Sequence, residues 1–311
     1  MKGPFKKFRR FIRGWLNYFV LKFVLWFTWH IPKDKISVWG KRIGTLMYLL
    51  ARNQCKRALE NPDIAFGNSK SLEKKKQITR AAFQIFITGG LELLVYNSIS
   101  DDDKRQLIQI EGRSYLDEAL AKGKGVIGLS AHFGNFPIMG GRLALEGYQC
   151  NLVVKAMKDP QVEVLFQKLR RDYGFNTIYL RPPTQCAHAC LNALRNNQIL
   201  LLLGDQRFRK GGVMVNFFGK PASTAPGSAS LALSTGAQVL PMFILRQENQ
   251  VERFIIEKPV TLVKTGDRKK DIQVNLQIFT DIIESYVSRY PEHWIWNHRR
   301  WKSVQNHAAY I

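Results

Sequence analysis

Apolar positions along the chain fall into three regimes. The first is a dense run near the start. Trp15 to Ile31 reads WLNYFVLKFVLWFTWHI, with thirteen of seventeen residues apolar or aromatic and Lys22 inside the run. That length sits at the lower limit for crossing a bilayer, and a lysine at membrane depth is costly. The run predicts a helix that spans a membrane or lies in its surface; a buried first helix of a globular domain is the other reading. The second regime, Val38 to Tyr96, has helical spacing with mixed charge. It contains a polar break at Asn61–Pro62 and a basic stretch, Lys74 to Lys76, that reads as a solvated helix face. Asp101 to Asp103 reads as a loop, and Ser114 to Lys122 as a helix that stops at Gly123.

From Gly125 onward, short apolar runs alternate with helical spacing. Strands are expected at Gly125 to Ser130 (GVIGLS), Gln149 to Val154, Asn176 to Leu180, Gln198 to Leu203 (QILLLL), Val213 to Phe218 and Val239 to Leu245 (VLPMFIL). Helices are expected at Leu143 to Gly147, Val162 to Tyr173 and Gln185 to Arg195, and Pro226-Gly227 opens a helix of small residues. This alternation predicts an α/β fold: a mixed, largely parallel sheet flanked by helices, with a membrane-associated helix at the N-terminus. No repeat or linker divides it, so the expected organisation is an anchoring segment over residues 1–35 and one α/β domain over 36–311.

Charge adds a partner class. The 311 residues carry 47 Lys+Arg against 24 Asp+Glu, a formal +23, which favours anionic partners such as nucleic acid, lipid headgroups or an acidic carrier protein. Lys2, Lys6, Lys7, Arg9, Arg10 and Arg13 precede the apolar run with no acid among them, as at the cytoplasmic end of a membrane anchor. HIPKDK follows the run where a cleaved signal peptide would have small residues. The four cysteines, Cys55, Cys150, Cys186 and Cys190, show no disulfide framework and suit a reducing compartment. Cys186 and Cys190 share a helix face, but His188 lies about 200° round the helix from Cys186, a poor metal set.

Four blocks carry candidate chemistry. In Ser130-Ala131-His132-Phe133-Gly134-Asn135-Phe136-Pro137 a buried strand meets a new helix, with Gly134 giving backbone freedom and Pro137 suited to the first helical turn. His132 then stands at the carboxyl end of a strand, where α/β sheets bind ligands, and near the positive end of a helix, which disfavours imidazolium. Position alone leaves two readings, a general base or a loop histidine hydrogen-bonded to backbone. Gly204-Asp205-Gln206 follows QILLLL. If that strand is parallel to the first, Asp205 emerges at the same edge and orients the imidazole; otherwise it caps a helix or pairs with Arg207. The third block, Gly211 to Gly236, places a strand before a helix whose N-terminus offers N–H groups to an anion, although close packing also accounts for its small residues. Pro291 to Lys302 (PEHWIWNHRRWK) sets three tryptophans beside Arg299 and Arg300, a combination open to nucleic-acid stacking or to a membrane-interface site that reads phosphate.

Taken in order, these blocks resemble the late lipid A biosynthesis acyltransferases of bacteria, within the lysophospholipid-acyltransferase-like group. The resemblance rests on HFGN at His132 to Asn135, GDQ at Gly204 to Gln206, VNFFGKPASTAPG at Val215 to Gly227, and PEHWIWNHRRWK, and it covers nearly the whole chain. It implies transfer of a fatty acyl chain from acyl-carrier protein or coenzyme A to a hydroxyl of a membrane glycolipid, on the cytoplasmic side of the bacterial inner membrane. It further implies His132 as general base, with no metal, cofactor or nucleic acid. Asn135 and Gln206 are then expected at the substrate, and Arg170, Arg171, Arg299 and Arg300 as readers of an anionic acceptor.

One position departs from the pattern. The family signature has Asp or Glu five residues after the histidine, and here that residue is Pro137. Proline cannot accept a hydrogen bond from imidazole. Three consequences are open: Asp205 takes the orienting role, the chemistry is slower or different, or the chain binds lipid without catalysis. A serine hydrolase fits less well, since Gly128-Leu129-Ser130-Ala131-His132 lacks the second glycine of a nucleophile elbow. A nucleic-acid-binding protein would suit the charge but leaves the first apolar run unexplained.

Overall fold

A computed structural model describes residues 15, 19, 22–24, 26–50, 52–209 and 211–301. The basic cluster Lys2 to Arg13, much of the apolar run and Lys302 lie outside the described residues.

The middle of the chain forms the expected sheet. Its strand order is β1 (Ile108–Glu111), β9 (Glu252–Ile256), β8 (Gln238–Arg246), β2 (Val126–Ser130), β5 (Ile199–Leu203), β3 (Cys150–Val154) and β4 (Phe175–Tyr179). All pairings are parallel except β8 with β9. A separate antiparallel hairpin joins β6 (Val213–Phe217) to β7 (Lys220–Thr224).

Both faces of the sheet are covered, which is why its central strands read as unbroken apolar runs. Along β8, Val239, Phe243 and Leu245 enter one core cluster, while Leu240, Met242 and Ile244 enter the other. The second core includes α5 (Arg113–Leu120) and α6 (Pro137–Ala144). The first includes α3 (Leu72–Val95), α8 (Pro183–Arg195), α9 (Gly227–Thr235) and α10 (Arg268–Arg289), and it is closed by Trp294, Trp296 and Trp301. Each of those indoles is at most 3% exposed, so the tryptophan block is core in this fold.

Two local expectations are corrected. Asn61–Pro62 does not break the chain but lies inside α2 (Arg52–Phe66), and the turn comes later, at Gly67–Ser69. Tertiary contacts outweigh the helix-breaking tendency of proline here: Asn61 Nδ2 donates to the carbonyls of Trp296 and His298, at 2.5 and 2.6 Å. Asp101 to Asp103, expected as a loop, are the first turn of α4 (Asp101–Leu107). Ser100 caps that helix through the Asp103 N–H, and three carboxylates suit its positive end. Strands β1 and β9 escape the apolar pattern because they are short and mix apolar with polar or charged residues (IQIE and ERFII); β1 is the edge strand, and its Glu111 pairs bidentately with Arg253 of β9.

The N-terminal helices pack on α3. Among the described residues, Leu72–Ser98 is the segment long and apolar enough to cross a membrane, with 39% of its most apolar window buried. It is also an integral wall of the core, with Ile78 and Ala82 in the main cluster and Leu91 and Val95 against Ile31 and Ile36. Helix α1 (Ile36–Leu50) meets it through a glycine: a Cβ on Gly40 would lie 2.3 Å from Thr88 Oγ1 and 2.6 Å from Thr88 Cα. On the other side α1 exposes Trp39, Leu46, Leu49 and Leu50. Where described, residues 15–29 are helical, and Trp15, Phe19, Phe23, Trp26 and Trp29 recur at helical spacing, all exposed.

The α1–α3 contact is therefore intolerant of volume. Gly40→Val is expected to lower unfolding stability by about 1–3 kcal/mol, the range for overpacking, in denaturant titrations of the detergent-purified chain. Unchanged stability would show that α1 does not sit on α3 in solution.

Candidate active site

Register brings the central pair together. Strands β2 and β5 run parallel with Ser130 opposite Leu203, and Gly204 N–H donates to Ser130 O at 2.9 Å. His132 and Asp205 stand equally far beyond the ends of those strands, so both arrive at the same carboxyl edge. His132 Nδ1 lies 2.9 Å from Asp205 Oδ1.

The loop bearing His132 is held from behind. Gly134 has φ +54°, and a Cβ there would come within 2.2 Å of Ile244 O, so a glycine is required for this turn to lie on β8. Its N–H donates to His293 O at 2.8 Å, Ile295 N–H donates to His132 O at 3.3 Å, and Phe133 bridges Trp294. Pro137 opens α6 as expected, with its absent N–H falling where none is needed. The Phe136 ring stands edge-on to the imidazole, with centroids 5.2 Å apart.

Asp205 is 2% exposed, and its second oxygen accepts from the Trp294 indole N–H at 2.9 Å. Burial alone would raise its carboxyl. The His132 charge and the hydrogen bonds from His132 and Trp294 outweigh burial and bring it down to about 2. An ionised carboxylate only accepts, so the imidazole donates from Nδ1 and its lone pair lies on Nε2. That nitrogen is 3.0 Å from Gln206 Nε2. With 23% of its side chain exposed, His132 shares a recess with Ala82, Ile85 and Phe86 of α3 and with Trp294 and Ile295. A lone pair on Nε2 can accept a hydrogen bond or a proton.

Other expected site residues are placed differently. Asn135 is 3% exposed and donates from Nδ2 to Glu92 Oε2 at 3.1 Å, facing α3. Glu92 also pairs with Arg246, whose Nη2 lies 2.6 Å from the buried Glu252. Burial raises the Glu252 carboxyl, with Arg246 opposing. Arg300 is 1% exposed and donates inward, to Ser223 O at 2.9 Å, Gln206 O at 3.3 Å and Thr224 Oγ1 at 2.7 Å. Burial pushes it down to about 10, against the pull of Asp205. It ties the loop after β5 to β7, while Arg299 is exposed. Helix α7 (Pro160–Asp172) leaves the carboxyl end of β3 and returns to the amino end of β4. Arg170 and Arg171 lie in its last turn, toward the amino end of β4. The Arg170 side chain reaches to Thr177 Oγ1 and back along the helix to Glu163, while Arg171 is exposed.

Several groups at the site carried no local signal of a role. Trp294 stood in the tryptophan block, yet nothing in its spacing points to Asp205. Glu92 and Arg246 lie far apart in sequence and meet only across the fold. His298 is pushed down by burial, with Asp205 pulling it back.

Fold and site together define an α/β protein with a histidine–carboxylate pair at its strand ends, beside an apolar recess. A family model described as bacterial lipid A biosynthesis acyltransferase matches residues 2–303, and the chain belongs to that family. It is 23% identical over 307 residues to the lipid A biosynthesis palmitoleoyltransferase of Escherichia coli K12, covering 96% of this chain and 95% of that one. A lipid A biosynthesis acyltransferase of Haemophilus influenzae is 23% identical over 285 residues, 91% of this chain and 85% of the relative. A phosphatidylinositol mannoside acyltransferase of Mycobacterium tuberculosis H37Rv is 33% identical over 136 residues, 42% of each chain. The match thus spans less than half the length of the mycobacterial relative.

Because the folded Asp205 carboxyl lies below its ordinary 3.8, its charge contributes stability that is present above about pH 4 and lost as pH falls through about 2. Wild type is expected to exceed Asp205→Asn by ~2 kcal/mol near pH 5, with the gap closing toward pH 2 in unfolding titrations. A gap independent of pH across that window would contradict the buried ion pair.

Proposed function

We propose that this protein transfers a fatty acyl group from an acyl-carrier-protein or coenzyme A thioester to a hydroxyl of a membrane glycolipid of the lipid A type, with His132 as general base. The observation that carries this reading is the pair His132–Asp205, with His132 lining a mostly apolar recess. The acceptor hydroxyl gives its proton to Nε2 as its oxygen attacks the thioester carbonyl. The tetrahedral oxyanion collapses, the C–S bond breaks, and the thiolate takes the proton back from the imidazolium. Asp205 offsets the charge on the ring between those events. The carboxylate on Nδ1 supports Asp205 as the orienting acid that Pro137 cannot be. Lipid binding without catalysis, or a different lipid acceptor, is the second reading, and it is favoured by the proline at that position.

The surroundings suit a lipid substrate. The described residues Trp15, Trp26 and Trp29 are exposed, α1 exposes Trp39 and leucines, and α1 packs on the helix that lines the recess. With the basic first residues, this side would rest on the anionic cytoplasmic face of the inner membrane, residues 1–35 serving as the anchor to the domain over 36–311. The net charge of +23 also suits an acidic carrier or a phosphorylated donor. Of the four arginines expected to read an acceptor anion, Arg299 is the one both exposed and adjacent to the site's bracing segment.

His132→Ala is expected to lower kcat by about 10²–10⁴-fold with the fold intact. Asp205→Asn should lose a large part of that, and Pro137→Glu should not be required for turnover. Mass spectrometry of acceptor lipids incubated with the full chain and acyl thioesters reads all three. Absence of transfer from every thioester, with lipid binding retained, would favour the second reading.

Membrane attachment is tested separately. The full chain should sediment with membranes and need detergent for release, whereas recovery in a low-salt supernatant would remove the anchor from this account.

A further inference from the structure

Gln206 is exposed, yet its side-chain nitrogen stands 3.0 Å from the atom that has to receive the substrate proton. Asp205 fixes the imidazole proton on Nδ1, so Nε2 offers a lone pair, and an amide nitrogen can only donate. The backbone at this residue is tied, because its carbonyl accepts from Arg300 Nη1 at 3.3 Å. Only the side chain is left to move.

We propose that Gln206 is a positioning residue that caps the proton acceptor in the resting site: its amide N–H donates to His132 Nε2, holds the Nδ1–H tautomer from the open side, and swings away when the acceptor hydroxyl arrives. This rests on the reading of His132 as the base. The physical consequence follows from competition for one lone pair. A donor on Nε2 stabilises neutral imidazole and opposes its protonation. The cap therefore works against the Asp205 carboxylate, which favours imidazolium. The two adjacent residues act on the ring in opposite senses, one at each nitrogen.

Other titratable and charged groups among the described residues also lie near the ring. His298 interacts with both His132 and Asp205, with Arg207 and Arg300 on its side, His293 shares the recess, and Glu92 of α3 reaches the loop through Asn135. Substitution at position 206 changes none of them.

The test uses the full chain in detergent micelles with ¹⁵N-labelled histidine, the His132 resonance being assigned by its loss in His132→Ala. In Gln206→Leu the donor is gone, and the titration midpoint of His132 should rise by about half to one pH unit. In Gln206→Glu a carboxylate faces Nε2, and the rise should exceed about one unit. The acid limb of kcat/KM should move with the midpoint in each variant. Midpoints equal to wild type in both folded variants would overturn the proposal. So would a higher acceptor KM with an unshifted pH profile, which would make Gln206 a substrate contact alone. If the midpoints move but wild type transfers no acyl group, the cap stands and the acyltransfer reading fails.

Discussion

A carboxylate is buried at Asp205, and the surrounding structure is arranged to satisfy its charge. An unpaired carboxylate at that depth would be protonated or would draw water into the core. Here one oxygen takes the His132 Nδ1–H and the other takes the Trp294 indole N–H. Each donor arrives from a different part of the chain. His132 comes from the end of β2, Asp205 from the end of β5, and Trp294 from the segment after α10. Meeting the charge thus closes three separate segments onto one point and fixes which imidazole nitrogen faces outward.

The C-terminal segment is best understood as the brace of that arrangement. Its tryptophans fill the core between the sheet and the β6–β7 hairpin, where Trp301 Nε1 donates to Phe217 O at 3.0 Å. Its backbone pins the histidine loop, and Arg300 pins the loop after β5. A guanidinium buried to this extent is tolerable because three oxygens accept from it and the Asp205 charge lies near. Residues whose composition suggests an exposed aromatic and basic binding face are instead turned inward. What they hold rigid is the spacing of the proposed base and its acid.

A second polar network performs a similar task for α3. Asn135, Glu92, Arg246 and Glu252 link the loop after His132 to that helix and to β8 and β9. Helix α3 is thereby fixed at one end by charge and along its length by the close approach of α1 at Gly40. It lines the recess on one side, while its partner α1 turns an apolar surface outward. An exposed apolar surface and the recess beside His132 are thus two sides of one helical pair.

The sequence by itself determined the α/β alternation, the position of the central strands and the arrival of His132 at a strand end. These are local matters: apolar runs mark strands buried on both faces, and glycine and proline mark the turn between strand and helix. It also allowed the pairing of His132 with Asp205, but only on the condition that β2 and β5 run parallel and side by side, a condition that hydrogen bonds between distant segments satisfy. Everything that depends on which segments become neighbours was decided by the tertiary structure. Asn61 and Pro62 continue a helix because Trp296 and His298 lie against them. Asn135 turns to Glu92 instead of the recess, and Arg300 is drawn inward by backbone carbonyls while Arg299 next to it stays in solvent. A helix between parallel strands must run back across the sheet, which carries the backbone of Arg170 and Arg171 away from the strand ends, and the Arg170 side chain is then taken up by Glu163 and Thr177. A linear sequence records the chemistry each side chain offers; burial and the partners supplied by remote segments determine which of those offers is taken up.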